Sequence, residues 1–191
     1  STHGSASGGP AARKEGFMEL LQIFQNRRSV RQYTDAPVSE EMLTKILQAG
    51  LLSASGKAIR PWEFIVVRDR ETLNALAGCR TTPVKMLQEA ACAIVVLGDE
   101  SKSDVWVEDC SVAMANMHLM ADALGVGSCW VQGRLREASD GQTTEAFVRN
   151  LLGFPQEMRL QAILTLGMPA KHPAPHALEE LPMEKIHQER F

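Results

Sequence analysis

Three arginines fall within five residues at Arg27-Arg28-Ser29-Val30-Arg31, in a chain of 191 residues whose net charge is −3 (20 Lys+Arg against 23 Asp+Glu). If this stretch runs extended, its side chains alternate between faces with a period of two. Arg27, Ser29 and Arg31 then share one face, and Arg28 and Val30 take the other. Two guanidinium forks flanking a hydroxyl suit a dianionic phosphate. Each fork donates paired hydrogen bonds to phosphate oxygens, and the hydroxyl fills the gap between them. Such charge-assisted bonds contribute about 1.5–3 kcal/mol each, enough to anchor a phosphorylated cofactor. The competing reading is a solvated basic turn behind a helix.

Three further stretches could face a ligand. The loop Ser53-Ala54-Ser55-Gly56-Lys57 is built of small residues whose backbone can approach a flat molecule closely. The strand end at Trp130 to Gly133 presents Gln132 and Gly133, and the tail carries Lys171 and His176. For isolated residues, packing is the simpler expectation. Trp62 and Trp130 read as core aromatics, Met114 and Met117 as filler, and His118 as a core or interface residue. Asp109 reads as a paired structural carboxylate, and Lys57 as a solvated loop lysine.

Several chemistries are excluded by pattern. There is no Gly-x-x-x-x-Gly-Lys-[Ser/Thr] phosphate loop, no His-Glu-x-x-His and no Gly-x-Ser-x-Gly elbow. Gly125-Val126-Gly127-Ser128-Cys129-Trp130 opens like a dinucleotide fingerprint, but Trp130 stands where the third glycine belongs and a helix precedes it. The four cysteines are widely spaced and give neither a disulfide framework nor a zinc site. Net charge offers no global attraction to nucleic acid or anionic lipid. No apolar run approaches the ~18 residues of a membrane span, and a reducing cytoplasm is the expected compartment.

The elements that must position these residues follow from periodicity and caps. Residues 1–16 are small and polar and read as a disordered leader or expression remnant; 17–191 read as a single domain. Phe17, Leu20, Leu21 and Phe24 lie at helical spacing just before the arginines. Ser39 and Asp69 are placed to cap helices, with Glu40 and Glu41 in the first turn behind Ser39. Short apolar runs at 63–67, 93–97, 128–131 and 160–166 read as strands, and 84–90, 104–124 and 143–152 as helices. The 104–124 helix is apolar on more than one face, implying burial on several sides. From Pro169 onward, four prolines favour an extended arm, with Leu178, Leu181, Met183, Ile186 and Phe191 as apolar anchors for another surface, plausibly a second subunit. The sum is an α+β or α/β fold of four or five strands between helices, most simply a two-fold dimer.

Taken jointly, the order and spacing of these pieces resemble the flavin-dependent nitroreductase family over residues 18–191. The resemblance is carried by Arg27–Arg31, by Ser55-Gly56-Lys57 with Arg60-Pro61-Trp62-Glu63-Phe64-Ile65-Val66-Val67, by Ala123-Leu124-Gly125-Val126-Gly127-Ser128-Cys129-Trp130, by Leu166-Gly167-Met168-Pro169-Ala170 and by Leu178-Glu179-Glu180. It implies an α+β fold with a mainly antiparallel sheet, a homodimer that exchanges its C-terminal arm (169–191), and FMN at the interface. Arg27, Ser29 and Arg31, with Arg28 adjacent, are implied to hold the phosphate and ribityl chain. Ser53, Ala54, Ser55, Gly56 and Lys57 of the other subunit would line the flavin ring. Gln132 and Gly133 would sit at its reactive edge, and Lys171 or His176 would complete the phosphate site. The implied activity is ping-pong reduction of an electron-poor acceptor by NAD(P)H, with no obligatory side-chain acid or base. A flavin store, or a reductive dehalogenase on the same scaffold, is the alternative. Two positions depart from the family pattern: Ala58 stands where asparagine is usual, and Arg60 where glutamine is usual.

Overall fold

A computed structural model describes residues 19–191; Phe17 and the expected leader lie outside the described residues. The elements in chain order are α1 (Leu20–Asn26), α2 (Glu40–Leu51), β1 (Trp62–Val67), α3 (Arg70–Leu76), α4 (Lys85–Glu89), β2 (Cys92–Asp99), α5 (Trp106–Ala123), β3 (Gly127–Gln132), α6 (Thr144–Leu152) and β4 (Met158–Gly167). The strands form one sheet in the order β1-β2-β4-β3, every pair antiparallel. The fold is therefore α+β, with four strands flanked by helices.

The local signals behave as their chemistry requires. Ser39 and Thr143 accept the backbone N–H groups of Met42 and Ala146, and Asp69 accepts that of Thr72 at 2.9 Å. Gly153 closes α6 at φ 78°, a left-handed conformation that glycine adopts without a steric penalty. Strand β2 is apolar without interruption because both its faces are covered. Ile94 and Val96 pack with Leu43 and Ile46 of α2 and Met114 and Met117 of α5, while Ala93, Val95 and Leu97 pack with Leu73 and Leu76 of α3 and Val148 of α6. Helix α5 explains its own broad apolar surface in the same way, burying Cys110, Ala113, Met114, Met117 and Ala121.

Not every apolar stripe turns inward. Leu20, Leu21 and Phe24 of α1 stay exposed, as do Leu51 and Leu52 at the end of α2. The tail is extended as expected, broken by short 3-10 turns at Leu178–Glu180 and Met183–Lys185, and its anchors from Leu178 to Phe191 are exposed. It leaves the sheet alongside the arginine segment, where the Ala170 N–H donates to the Gln32 carbonyl at 2.9 Å and the Thr34 N–H to that of Met168 at 2.8 Å. All four cysteines are buried and unpaired. Among the described residues, no helix is long and apolar enough to cross a membrane.

Candidate functional site

The arginine segment leaves α1 in extended conformation and runs beside β3. The Val30 N–H donates to the Ser128 carbonyl at 3.0 Å, and the Val30 side chain is fully buried. Glycine is needed opposite it, since a Cβ at Gly127 would stand 2.8 Å from Val30 Cγ1. With Val30 inward, burial raises the pKa of the Cys129 thiol beneath the segment, and Arg31, Ser29 and Arg27 oppose that shift. Arg28 turns away and donates to the Ala174 carbonyl of the tail. Val30 is thus buried, while Arg27 meets His118, Arg28 meets the tail and Arg31 lines a cavity.

Arg27 is aimed by a neutral histidine. Burial, and then the charge of Arg27, push the pKa of His118 down to about 4. A guanidinium has no acceptor, so the 3.0 Å contact between Arg27 and His118 Nε2 fixes Nε2 as the acceptor. The proton therefore sits on Nδ1 and donates to Ser128 Oγ at 2.5 Å.

The tail reaches the same corner. The His176 N–H donates to the Gln25 carbonyl at 2.9 Å, and Gln25 Nε2 returns a bond to the His176 carbonyl at 3.1 Å, so it is the His176 backbone that is held there. Lys171 is exposed nearby in sequence. The tail histidine with a side-chain partner is instead His172, 2.6 Å from Asp122 Oδ1. Asp122 Oδ2 accepts from Asn26 Nδ2 at 2.7 Å, tying the ends of α1 and α5 to the tail. The bond to Asp122 raises the pKa of His172. These partners are 50 and 96 residues apart, and no local pattern announces them.

A cavity of about 860 Å3 opens beside Arg31. Its wall carries four cations, Arg31, Arg80, Lys85 and Arg136, against one carboxylate, Glu89. Arg80 donates to the Gln132 carbonyl at 3.2 Å, while its Nε is buried without a partner among the described residues. Sequence reasoning singled out neither Arg80, Lys85 nor Arg136. The five-residue α4 is too short for a periodic signal, and the turn before it looks like any polar connection. Trp130, read as a core aromatic, is half-buried on this wall and donates to Gln132 Oε1 at 2.8 Å. Gln132 Nε2 in turn donates to the Arg134 carbonyl at 2.8 Å. The Gly133 N–H donates to the Gln161 carbonyl at 3.3 Å, and a Cβ there would lie 2.6 Å from Leu160 Cδ2. Close packing alone thus demands glycine at 133.

The small-residue loop sits elsewhere, on the far part of α5. Ser53 Oγ donates to the Ala49 carbonyl at 3.0 Å and accepts from Asn116 Nδ2 at 2.8 Å. Ser55 Oγ accepts the Arg60 N–H at 3.0 Å, and the Gly56 N–H donates to Asp109 Oδ1 at 3.0 Å. Asp109 is thus a paired structural carboxylate, as read from sequence, and its partner is a backbone amide. Ala54 and Lys57 are exposed. Lys57, Ala58 and Arg60 have φ of 52°, 54° and 52°, left-handed for three non-glycine residues. Asp109 and His118 are nine residues apart on one helix, about 13 Å along its axis. Within one chain, the loop and the arginine face are not brought together.

The chain therefore presents a roomy cavity whose wall of four cations suits an anionic ligand, with Arg27 and Ser29 on the segment that leads to Arg31. Comparison with known proteins accords with that chemistry. The model of the Nitroreductase family matches residues 24–79 and 80–168. A relative from Archaeoglobus fulgidus, provisionally named NADH dehydrogenase/NAD(P)H nitroreductase, is 37% identical over 178 residues, covering 91% of this chain and 99% of its own. An FMN-dependent nitroreductase of Clostridium difficile R20291 superposes with a TM-score of 0.86 at 38% identity, over 90% of this chain and 99% of that one. A provisionally assigned nitroreductase of Desulfovibrio desulfuricans, solved in complex with FMN, gives a TM-score of 0.74 at 27% identity, over 91% and 98%. With its four antiparallel strands, its arginine face and these matches along nearly its whole described length, the chain belongs to the nitroreductase family.

Proposed function

We propose that this protein is an FMN-dependent oxidoreductase, acting as a homodimer, that takes electrons from NAD(P)H and delivers them in a ping-pong cycle to an electron-poor acceptor such as a nitroaromatic or a quinone. The observation that carries the reading is the cavity of about 860 Å3 with Arg31 on its wall, reached along a segment that also carries Arg27 and Ser29. Those three residues would hold the phosphate and ribityl chain, with Arg28 and the tail residues Lys171 and His176 adjacent. Gln132 and Gly133 would border the ring on the cavity side, and the Ser53–Lys57 loop of the second subunit would cover it. The residues fit such a group: a dianion is matched by guanidiniums, and the cavity has room for three fused rings. When bound, FMN supplies the redox chemistry, receiving hydride from the nicotinamide and passing reducing equivalents to the acceptor.

What the chain contributes is position and charge. Arg31, Arg80, Lys85 and Arg136 on the cavity wall are the cations available to stabilise negative charge on the ring. Neutral His118 holds Arg27 in its aim without adding a second positive charge beside it. Free, buried thiols accord with a reducing cytoplasm. Purified protein is expected to be yellow, and NADH added without oxygen is expected to bleach it rapidly. A flavin that stays oxidised under NADH would make the protein a store instead. Arg31→Ala should release FMN during gel filtration; full retention would refute the phosphate assignment.

A further inference from the structure

Resting on that reading, we infer that Asp109 and Asn116 are positioning residues: from one face of α5, they clamp both ends of the small-residue loop into the shape it presents to flavin. The two residues are seven apart, two helical turns, and so project from the same side. Asn116 grips the start of the loop through Ser53 Oγ, and Asp109 grips its turn through the Gly56 N–H. Immediately beyond these grips, the chain adopts a conformation it does not favour. Lys57, Ala58 and Arg60 are all left-handed, and all are exposed, so side-chain burial does not hold them there. Local strain of this kind persists only where surrounding contacts over-determine it.

Asp109 carries the mark of a group kept for this task rather than for stability. It is only 5% exposed, it has no ion-pair partner among the described residues, and its Oδ2 is buried without a hydrogen bond. A buried acceptor left unmatched is costly, and an apolar residue would pack there more favourably. What an apolar residue would not do is accept the Gly56 N–H. The position of Asp109 in the first turn of α5 makes a carboxylate tolerable there, because the helix N-terminus favours negative charge. Room for the loop is also set here: a Cβ at Gly56 would lie 3.2 Å from Val105 Cγ2, so the backbone rests directly on the start of α5.

The test compares Asp109→Ala, Asp109→Asn and Asn116→Ala in the full chain, using FMN affinity by fluorescence quenching, hydrogen exchange of residues 53–60 and the unfolding midpoint. Asp109→Ala and Asn116→Ala are expected to weaken FMN binding on the order of tenfold, the equivalent of about one hydrogen bond. Exchange across 53–60 should accelerate while the unfolding midpoint of the whole chain moves little. Asp109→Asn retains an acceptor for Gly56 and is expected to recover near-normal affinity and protection. Asn116→Ala, at the opposite end of the loop, decides the matter should Asp109→Ala fail to fold. The inference is overturned if both alanine variants bind FMN as the unaltered protein does, or if Asp109→Asn is as weak as Asp109→Ala. It is also overturned if exchange at 53–60 is unchanged. Absence of FMN binding by the unaltered protein would instead refute the flavin reading, and the exchange measurement would still test the clamp.

Discussion

Two histidines at one corner respond to pH in opposite directions. His118 has its pKa pushed from an ordinary 6.5 down to about 4, chiefly by burial. Below pH 6.5 the unfolded chain binds a proton that the folded chain refuses, so stability from this residue is complete above 6.5 and falls away toward pH 4. His172 is the reverse, its pKa raised first by its bond to Asp122. Its contribution is complete below 6.5 and is lost as pH rises through the folded value. Denaturant midpoints from pH 4 to 9 should therefore show an acid limb that His118→Gln flattens. An alkaline limb should vanish in Asp122→Asn. Ala58 gives a second prediction at this scale. Asparagine tolerates the left-handed region far better than alanine, so Ala58→Asn should stabilise the fold on the order of 0.5 kcal/mol, read by thermal unfolding. It should also tighten FMN or shift its potential.

The segment that carries the arginines is positioned by contacts as tight as any in the core. A Cβ at Gly167 would stand 2.5 Å from Tyr33 Cγ, and the Tyr33 ring is pinned by a 2.6 Å bond between its hydroxyl and Thr165. Gly167→Ala must displace Tyr33 and with it the arginine strand, costing about 1–3 kcal/mol in chemical denaturation and loosening FMN in parallel. Much of this architecture was legible before the structure. Ser39 and Asp69 mark helix starts through bonds made three residues on, and β2 betrays its two-sided burial by an unbroken apolar run. The separation of buried Val30 from its arginine neighbours was legible for the same reason: a period of two is local information. Arg80, Lys85, Asp122 and His172 were not legible as site residues, because what gives each its role is a partner or a wall brought in from far along the chain. Asp109 was legible as a paired carboxylate, but its partner, the amide of Gly56, was not, because it lies 53 residues away.

For the whole molecule, exposed apolar side chains set the expectation. Leu20, Leu21 and Phe24 on α1, Leu51 and Leu52 on α2, and Leu181, Met183, Ile186 and Phe191 on the tail together exceed what a soluble monomer ordinarily leaves in water. Light scattering should give twice the chain mass, and removal of residues 178–191 should shift the equilibrium toward monomer with loss of FMN. The four sulfhydryls complete the picture. Burial holds Cys79 and Cys92 near pKa 11 and Cys110 near 12, and raises Cys129 as well. The thiolate is the form that attacks electrophiles, and quinones and the nitroso compounds formed from nitroaromatics, which the proposed cycle would handle, are avid electrophiles. On that proposal, a chain that keeps its four thiols shielded and protonated is protected against alkylation by its own substrates and intermediates, and should survive many turnovers without added reductant.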